Sequence, residues 1–290
     1  MIVCFDTSAL NQLMDDPDGN RLTSILLRDF AVYITALNIV EIGKTARADR
    51  REQLRAFEKH LANGFEPLDL PNQLVQRACL AFHNRAEKIV VTLGEASRQL
   101  WVAMSEPHGV SDQERSELTL WANELESSNA AANTVLRPEL DRVFASDPAA
   151  RPRTPKQLLW IYMLAGWPVR YRVTAEIYKR ATGCILPLSQ LDNFLTARPS
   201  IWPLYLGAEA YSIYYGAVWG RGLGPRNSAG MLDLWAAVYL PFCDVFVTHD
   251  TRRGGQFSAL RLLNAFNSRR PRTHIVRWSK FRASLSGRGA

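Results

Sequence analysis

Hydrophobic positions follow two regimes along the chain. Near both ends, short apolar runs stop at an acid or a polar cluster: Ile2 to Phe5 before Asp6, Ala31 to Thr35 before a helix opened by Asn38, Phe65 to Leu68, Val245 to Val247, and His274 to Val276. Runs of this length bounded by turn residues predict strands. Between them, from about Pro71 to Gly230, apolar residues recur at helical spacing without alternation. That region predicts successive helices over Arg85 to Met104, Ser111 to Val135, Pro138 to Phe144, Pro155 to Leu164, Val173 to Ala181 and Leu188 to Leu195, with a break at Asp147 to Pro152. Ser8 is the expected cap of a first helix over Ala9 to Met14, and Asn20 of a second through Asp29.

Met231 to Asp250 carries the densest signal. Leu232, Trp235, Ala236 and Tyr239 share a helical face that Pro241 ends. Val245, Phe246 and Val247 then predict a strand covered on both faces. Asp233 falls in the first turn of the helix, and Asp250 follows the strand. In an open α/β sheet those positions lie on one edge. Asp244, which precedes the strand, should lie at the opposite edge, up to about 20 Å away.

Strands at both ends with helices between predict one α/β unit from residues 1–70 and 229–290, and a helical insertion or lid over 71–228. Ile201 to Trp219 contains one charge, Glu209. Its proline and tyrosines favour a packed core helix over a membrane span, so no membrane is expected as a partner. The four cysteines form no Cys-x-x-Cys pair and the chain opens directly into a strand, which suits a reducing cytoplasm. Charge is uneven. Residues 251–290 hold nine Arg, one Lys and no acid, a local +10 in a chain of net +7, which leaves −3 for the rest. A basic block beside an acidic centre points to a polyanion, most simply nucleic acid.

Asp6, Glu41, Asp233 and Asp250 each have a local use. Asp6 would cap a turn, Glu41 would reach back to Asn38 in a capping box, Asp233 would favour a helix start, and Asp250 would form an Asx turn. Brought to one sheet edge, they make an oxygen-rich pocket. Two carboxylates 4 Å apart repel by about 4 kcal/mol at an effective dielectric of about 20, so protons or a hard cation such as Mg²⁺ or Mn²⁺ must compensate.

The arrangement resembles the PIN-domain nucleases, on Asp6 in IVCFDTSAL, Glu41 in ITALNIVEIGKT, Asp233 in LDLWAAVYL and Asp250 in VFVTHD. The resemblance implies a PIN-like parallel sheet of order 3-2-1-4-5 flanked by helices, here with a large all-helical insertion. It implies Mg²⁺- or Mn²⁺-dependent phosphodiester hydrolysis, most often of RNA, in line and leaving a 5′-phosphate. Asp6, Glu41, Asp233 and Asp250 would be the metal-binding and catalytic residues, and Thr248 would steady them by hydrogen bonds.

Arg252 and Arg253, followed by Gly254 and Gly255, would form a flexible basic loop that meets phosphate. The long insertion leaves room for a regulator or antitoxin-like protein, or a homodimer. A catalytically weak nucleic-acid-binding or scaffold protein is the rival reading. An aspartyl phosphatase using Asp6 as nucleophile ranks last, because Ser8 stands where a second Asp would assist. No histidine shows zinc spacing, and the glycines near Gly222 match no phosphate-binding loop.

Overall fold

A computed structural model describes residues 1–86, 89–94, 98, 101–102, 112–160, 167–196, 201–219, 230–250, 255–267 and 270–288. Four parallel strands form its sheet, β1 (Ile2–Phe5), β2 (Ala31–Tyr33), β3 (Val245–Thr248) and β4 (His274–Arg277), in the order β2-β1-β3-β4. In chain order the helices are α1 (Thr7–Asp15), α2 (Gly19–Asp29), α3 (Ala36–Gly43), α4 (Ala48–Ala62), α5 (Pro71–His83), α6 (Asp112–Ser146), α7 (Pro155–Trp160), α8 (Trp167–Thr182), α9 (Leu191–Thr196), α10 (Ile201–Ile213), α11 (Met231–Trp235), α12 (Gln256–Leu263) and α13 (Trp278–Ser286). The chain is an α/β protein with many helices around a parallel sheet.

Strand alternation divides the core in two. The register places Val3 beside Val245, Cys4 beside Phe246 and Phe5 beside Val247. Odd positions of β1 therefore share a face with Val32, Val245 and Val247, against Leu10, Leu13, Leu22, Leu26 and Phe281. Cys4 and Phe246 point the other way, with Ile2, Tyr33 and Ile275, into a core that includes Leu206, Tyr239 and Leu260. Both faces are covered, as a parallel sheet requires. The second core is built largely by the helical region 71–228. Ile201, Leu204, Leu206, Ala208 and Ala210 of α10 are all fully buried. Among the described residues no helix is long and apolar enough to cross a membrane.

Several expected elements differ. A third full strand over Phe65 to Leu68 does not form. Leu68 alone bridges Thr35 in parallel and Thr92 antiparallel, so the five-strand order is cut to four strands and a bridge. The expected helix from Arg85 is replaced over Ile89–Gly94 by extended chain. Arg77 explains this: its guanidinium donates to the carbonyls of Val90 and Thr92 and to the buried Asp69 carboxylate, which also accepts from the Gly94 amide. Backbone groups satisfied by a side chain have no need of a helix. The helices expected on either side of Pro138 are one, α6, with the proline inside it. Past α11 the chain tightens into a 3₁₀ helix, Ala236–Phe242, that includes Pro241 rather than stopping before it. Asp6, not Ser8, caps α1, and Asp18, not Asn20, precedes α2. Thr35 caps α3, whose capping box pairs Thr35 with Asn38, so Glu41 is not used there.

Because α10 and β3 share one core, Leu206→Ala and Phe246→Ala should each cost about 3 to 5 kcal/mol. Urea unfolding followed by circular dichroism and by tryptophan fluorescence should show both lowering a single shared transition.

Candidate active site

β1 and β3 lie side by side and run the same way, so Asp6 and Thr248 emerge together at the carboxyl edge of the sheet. The Thr248 hydroxyl, fully buried, lies 2.6 Å from Asp6 Oδ2 across 242 residues of sequence. Thr248 Oγ1 in turn accepts from the Asp250 amide at 3.1 Å. Ser8 Oγ donates to Asp6 Oδ2 at 2.7 Å, and the Ala9 amide donates to Oδ1 at 2.7 Å as the cap of α1. Asp6 thus caps α1 and stands at the carboxyl edge of the sheet.

Burial dominates the Asp6 environment and pushes its pKa up to about 6, against hydrogen bonds from Thr248, Ser8, Ala9 and His249 that lower it. Glu41, half-buried on α3, is pushed up to about 7, first by burial and then by the charge of Asp233. A hydrogen bond from Thr7 opposes the rise, Asp6 adds to it, and Lys44 weakly offsets it. Glu41 therefore feels two of the other three acids directly. Asp233, on the first turn of α11, turns its Oδ2 back to the Gly230 amide at 2.9 Å. Asp250 accepts from the Gln256 amide at 3.3 Å, at the start of α12. Carboxylates at helix starts are favoured by the unpaired amides there.

All four acids thus belong to the same edge, each braced by protein donors. Among the described residues no three His, Cys, Asp or Glu side chains approach closely enough to share one metal ion. The donor set nevertheless suits a hard cation: oxygen ligands only, with Glu41 raised by its acidic neighbours. Asp244 lies at the far edge, where its Oδ2 accepts from the Ile2 amide at 2.6 Å. Arg252 and Arg253 lie outside the described residues, as does Gly254.

Residues that sequence reasoning passed over complete the site. Gln256, 3% exposed, places Oε1 2.8 Å from the Thr248 hydroxyl and Nε2 3.5 Å from the Asp233 carbonyl. Thr248 has one proton and two acceptors within reach. When Asp6 is ionised the hydroxyl donates to it; when Asp6 is protonated, Asp6 donates and the hydroxyl turns to Gln256. Asn38 donates to the Phe5 carbonyl at 3.1 Å and to Thr7 Oγ1 at 3.2 Å, tying α3 to the end of β1. Gly255 is needed for room, not flexibility. A Cβ there would stand 2.7 Å from Asp250 Oδ1 and 2.9 Å from its Cγ. Glycine lets α12 begin against that carboxylate without displacing it, and a Gly after a basic pair was the one available hint. Tyr211 and Tyr214, in the tyrosine-rich stretch Ile201 to Trp219, are buried at 2% and 4% exposure.

A separate cavity of about 660 Å³ in the helical region is lined by His83, Tyr178, Cys184 and Trp202 among others, and by none of the four acids. There His83 Nδ1 lies 3.1 Å from the Tyr178 hydroxyl and Cys184 is exposed. No family model, curated protein or solved structure matches the chain.

The pKa directions fix a pH dependence. Both acids have folded pKa values above their unfolded ones, so the stability they contribute is complete below about pH 4 and is lost as pH rises through about 6 to 7. Glu41→Gln, a neutral isostere, removes that loss. With chelator present it should match the parent at pH 4 and exceed it at pH 8 by about 2 kcal/mol, after allowance for partial exposure. Denaturant titrations at the two pH values check this; an equal difference at both would contradict the placement of Glu41.

Proposed function

We propose that the chain is a Mg²⁺- or Mn²⁺-dependent endonuclease of the PIN-like kind, hydrolysing phosphodiester bonds, most simply in RNA. The observation that carries this reading is the hydrogen bond from Thr248 to Asp6, which joins the two ends of the chain at the acidic edge. The strand order supports it too. The four parallel strands follow the order β2-β1-β3-β4, and the isolated Leu68–Thr35 bridge just after β2 is compatible with a 3-2-1-4-5 plan. In this reading residues 1–70 and 229–290 form the nuclease core, and 71–228 an insertion that packs one sheet face.

Asp6, Glu41, Asp233 and Asp250 would hold the cation. When bound, it would supply positive charge to a phosphoryl oxygen and lower the pKa of water. The residues' own work is separable from that. Thr248 and Gln256 hold the acids in place between the two sheet strands and α12. With its pKa raised to about 7, Glu41 is partly protonated at neutral pH and a cation would have to displace that proton, so affinity for the cation should rise with pH. Ser8 holds Asp6 Oδ2 and accepts the His249 amide at 3.2 Å, closing the loop after β3 over β1.

A catalytically weak nucleic-acid-binding protein is the second reading. It is favoured by the braced carboxylates, of which no three converge among the described residues. The two readings part on one experiment. Purified protein with labelled single-stranded RNA and Mn²⁺ should cleave, and chelator should stop it. Asp6→Asn and Asp250→Asn should each lose at least about 100-fold in rate while still unfolding in one cooperative transition above the assay temperature. Asp244→Asn, at the opposite edge, should cleave as the parent does. Binding without cleavage in the parent would select the second reading; loss of cleavage in Asp244→Asn would contradict the edge assignment.

A further inference from the structure

Phe257 is the second residue of α12, and its amide donates to the Asp250 carbonyl at 3.2 Å. Two guanidinium groups lie against its ring. Arg277 Cζ is 4.8 Å from the ring centroid and Arg261 Cζ is 5.6 Å from it. Arg277 ends β4 and is the register partner of Thr248 on β3, so its backbone lies about 5 Å from that of the residue that holds Asp6. Arg261 lies one helical turn along α12 from Phe257, on the same face.

Both arginines are exposed, and among the described residues neither makes a hydrogen bond or an ion pair. Other arginines of the basic carboxyl-terminal block are occupied. Arg282 pairs with Asp16 and Asp18, and Arg288 lies near Asp29 and over the Phe30 ring. They neutralise the acidic loop and helix end of the amino-terminal segment. Two of the block's nine arginines are therefore set against acids of the fold, and Arg261 and Arg277 belong to the remainder. An arginine stacked on an aromatic ring keeps its N–H edge outward and has little orientational freedom to lose. Two such edges present paired donors at fixed places, which suits phosphate oxygens.

We propose that Phe257, Arg261 and Arg277 form a platform that grips the phosphodiester backbone of a single-stranded nucleic acid beside the acidic edge. The inference rests on the nuclease reading for its substrate, but the grip needs no cation. Arg277 would hold the phosphate adjacent to the one presented to the acids, and Arg261 the next. Phe257 positions both guanidiniums; its ring is covered by them and does not stack a base.

Fluorescence anisotropy with a labelled single-stranded RNA, in chelator, separates the platform from the chemistry. The parent should bind, and an Arg261→Ala, Arg277→Ala double variant should bind about tenfold more weakly at low salt. Its plot of log affinity against log salt should be shallower by about 1.4, for two phosphate contacts on a single strand. Arg277→Lys keeps the charge and loses the fork, so it should fall between. Phe257→Leu keeps apolar bulk and both charges, and should weaken binding about threefold. Because the arginines are exposed, melting temperatures should not move. No binding by the parent, an unchanged salt slope in the double variant, or equal competition by poly-glutamate would overturn the platform. Cleavage assays with Mn²⁺ report on the nuclease reading independently. Parent cleavage that the double variant retains in full keeps the nuclease and removes the platform. Arginine-dependent binding without cleavage keeps the platform and removes the nuclease.

Discussion

A buried hydroxyl ties the acid that ends β1 to the segment that follows β3. Thr248 donates to Asp6 and accepts from the Asp250 amide, and it is fully buried where it does so. Without a donor there, Asp6 would be a poorly solvated carboxylate at the end of a strand, a costly state for a charge. With it, a buried acid is stable enough to keep and still raised enough to trade its proton. The helices and strands around the site can be read as support for that contact. β1 and β3 bring the backbones together, α1 caps Asp6, and α12 closes from above through Gln256.

Opposed effects act at the edge, and burial prevails. Burial pushes Asp6 up, burial and then the charge of Asp233 push Glu41 up, and hydrogen bonds from Thr248 and Ser8 to Asp6 and from Thr7 to Glu41 pull the other way. Both acids therefore lie above the usual carboxylate range. This is a different solution from the ion pairs elsewhere in the molecule. Asp69 is fully buried and paired with Arg77, and it serves to hold the extended segment after α5. Asp69 has an arginine as its partner; Asp6 and Glu41 have neutral donors and each other. That contrast distinguishes acids that staple the fold from acids left available to a ligand.

Much of this was legible in the chain itself. The run Val245 to Val247, bounded by Asp244 and Thr248, reads as a doubly covered strand and is one. Ile201 to Ile213 reads as a core helix and is buried. The placement of Asp6 and Asp250 after parallel strands follows from alternation and from where strands end. What escaped reading depended on distant partners. Nothing near Arg85 announces that Arg77 would capture the carbonyls of Val90 and Thr92 and hold that stretch extended. Glu41 matched a local capping pattern with Asn38, yet Thr35 took that role and Asn38 was drawn to Phe5 and Thr7. Gln256 carries no motif; only the approach of α12 to β3 makes it a neighbour of Thr248. Local signals predicted elements well and predicted side-chain partners poorly, because partners are chosen by the fold.

The order of strands has a bearing on how the protein is made. β1 precedes its second neighbour, β3, by about 240 residues of chain. Until β3 has been made β1 has one open side, and Asp6 lacks the hydroxyl that later holds it. A nascent or prematurely terminated chain would carry Asp6, Glu41 and all of the helical region and still have no assembled edge. The acidic edge is thereby assembled only after β3 has been made, an order set by topology alone.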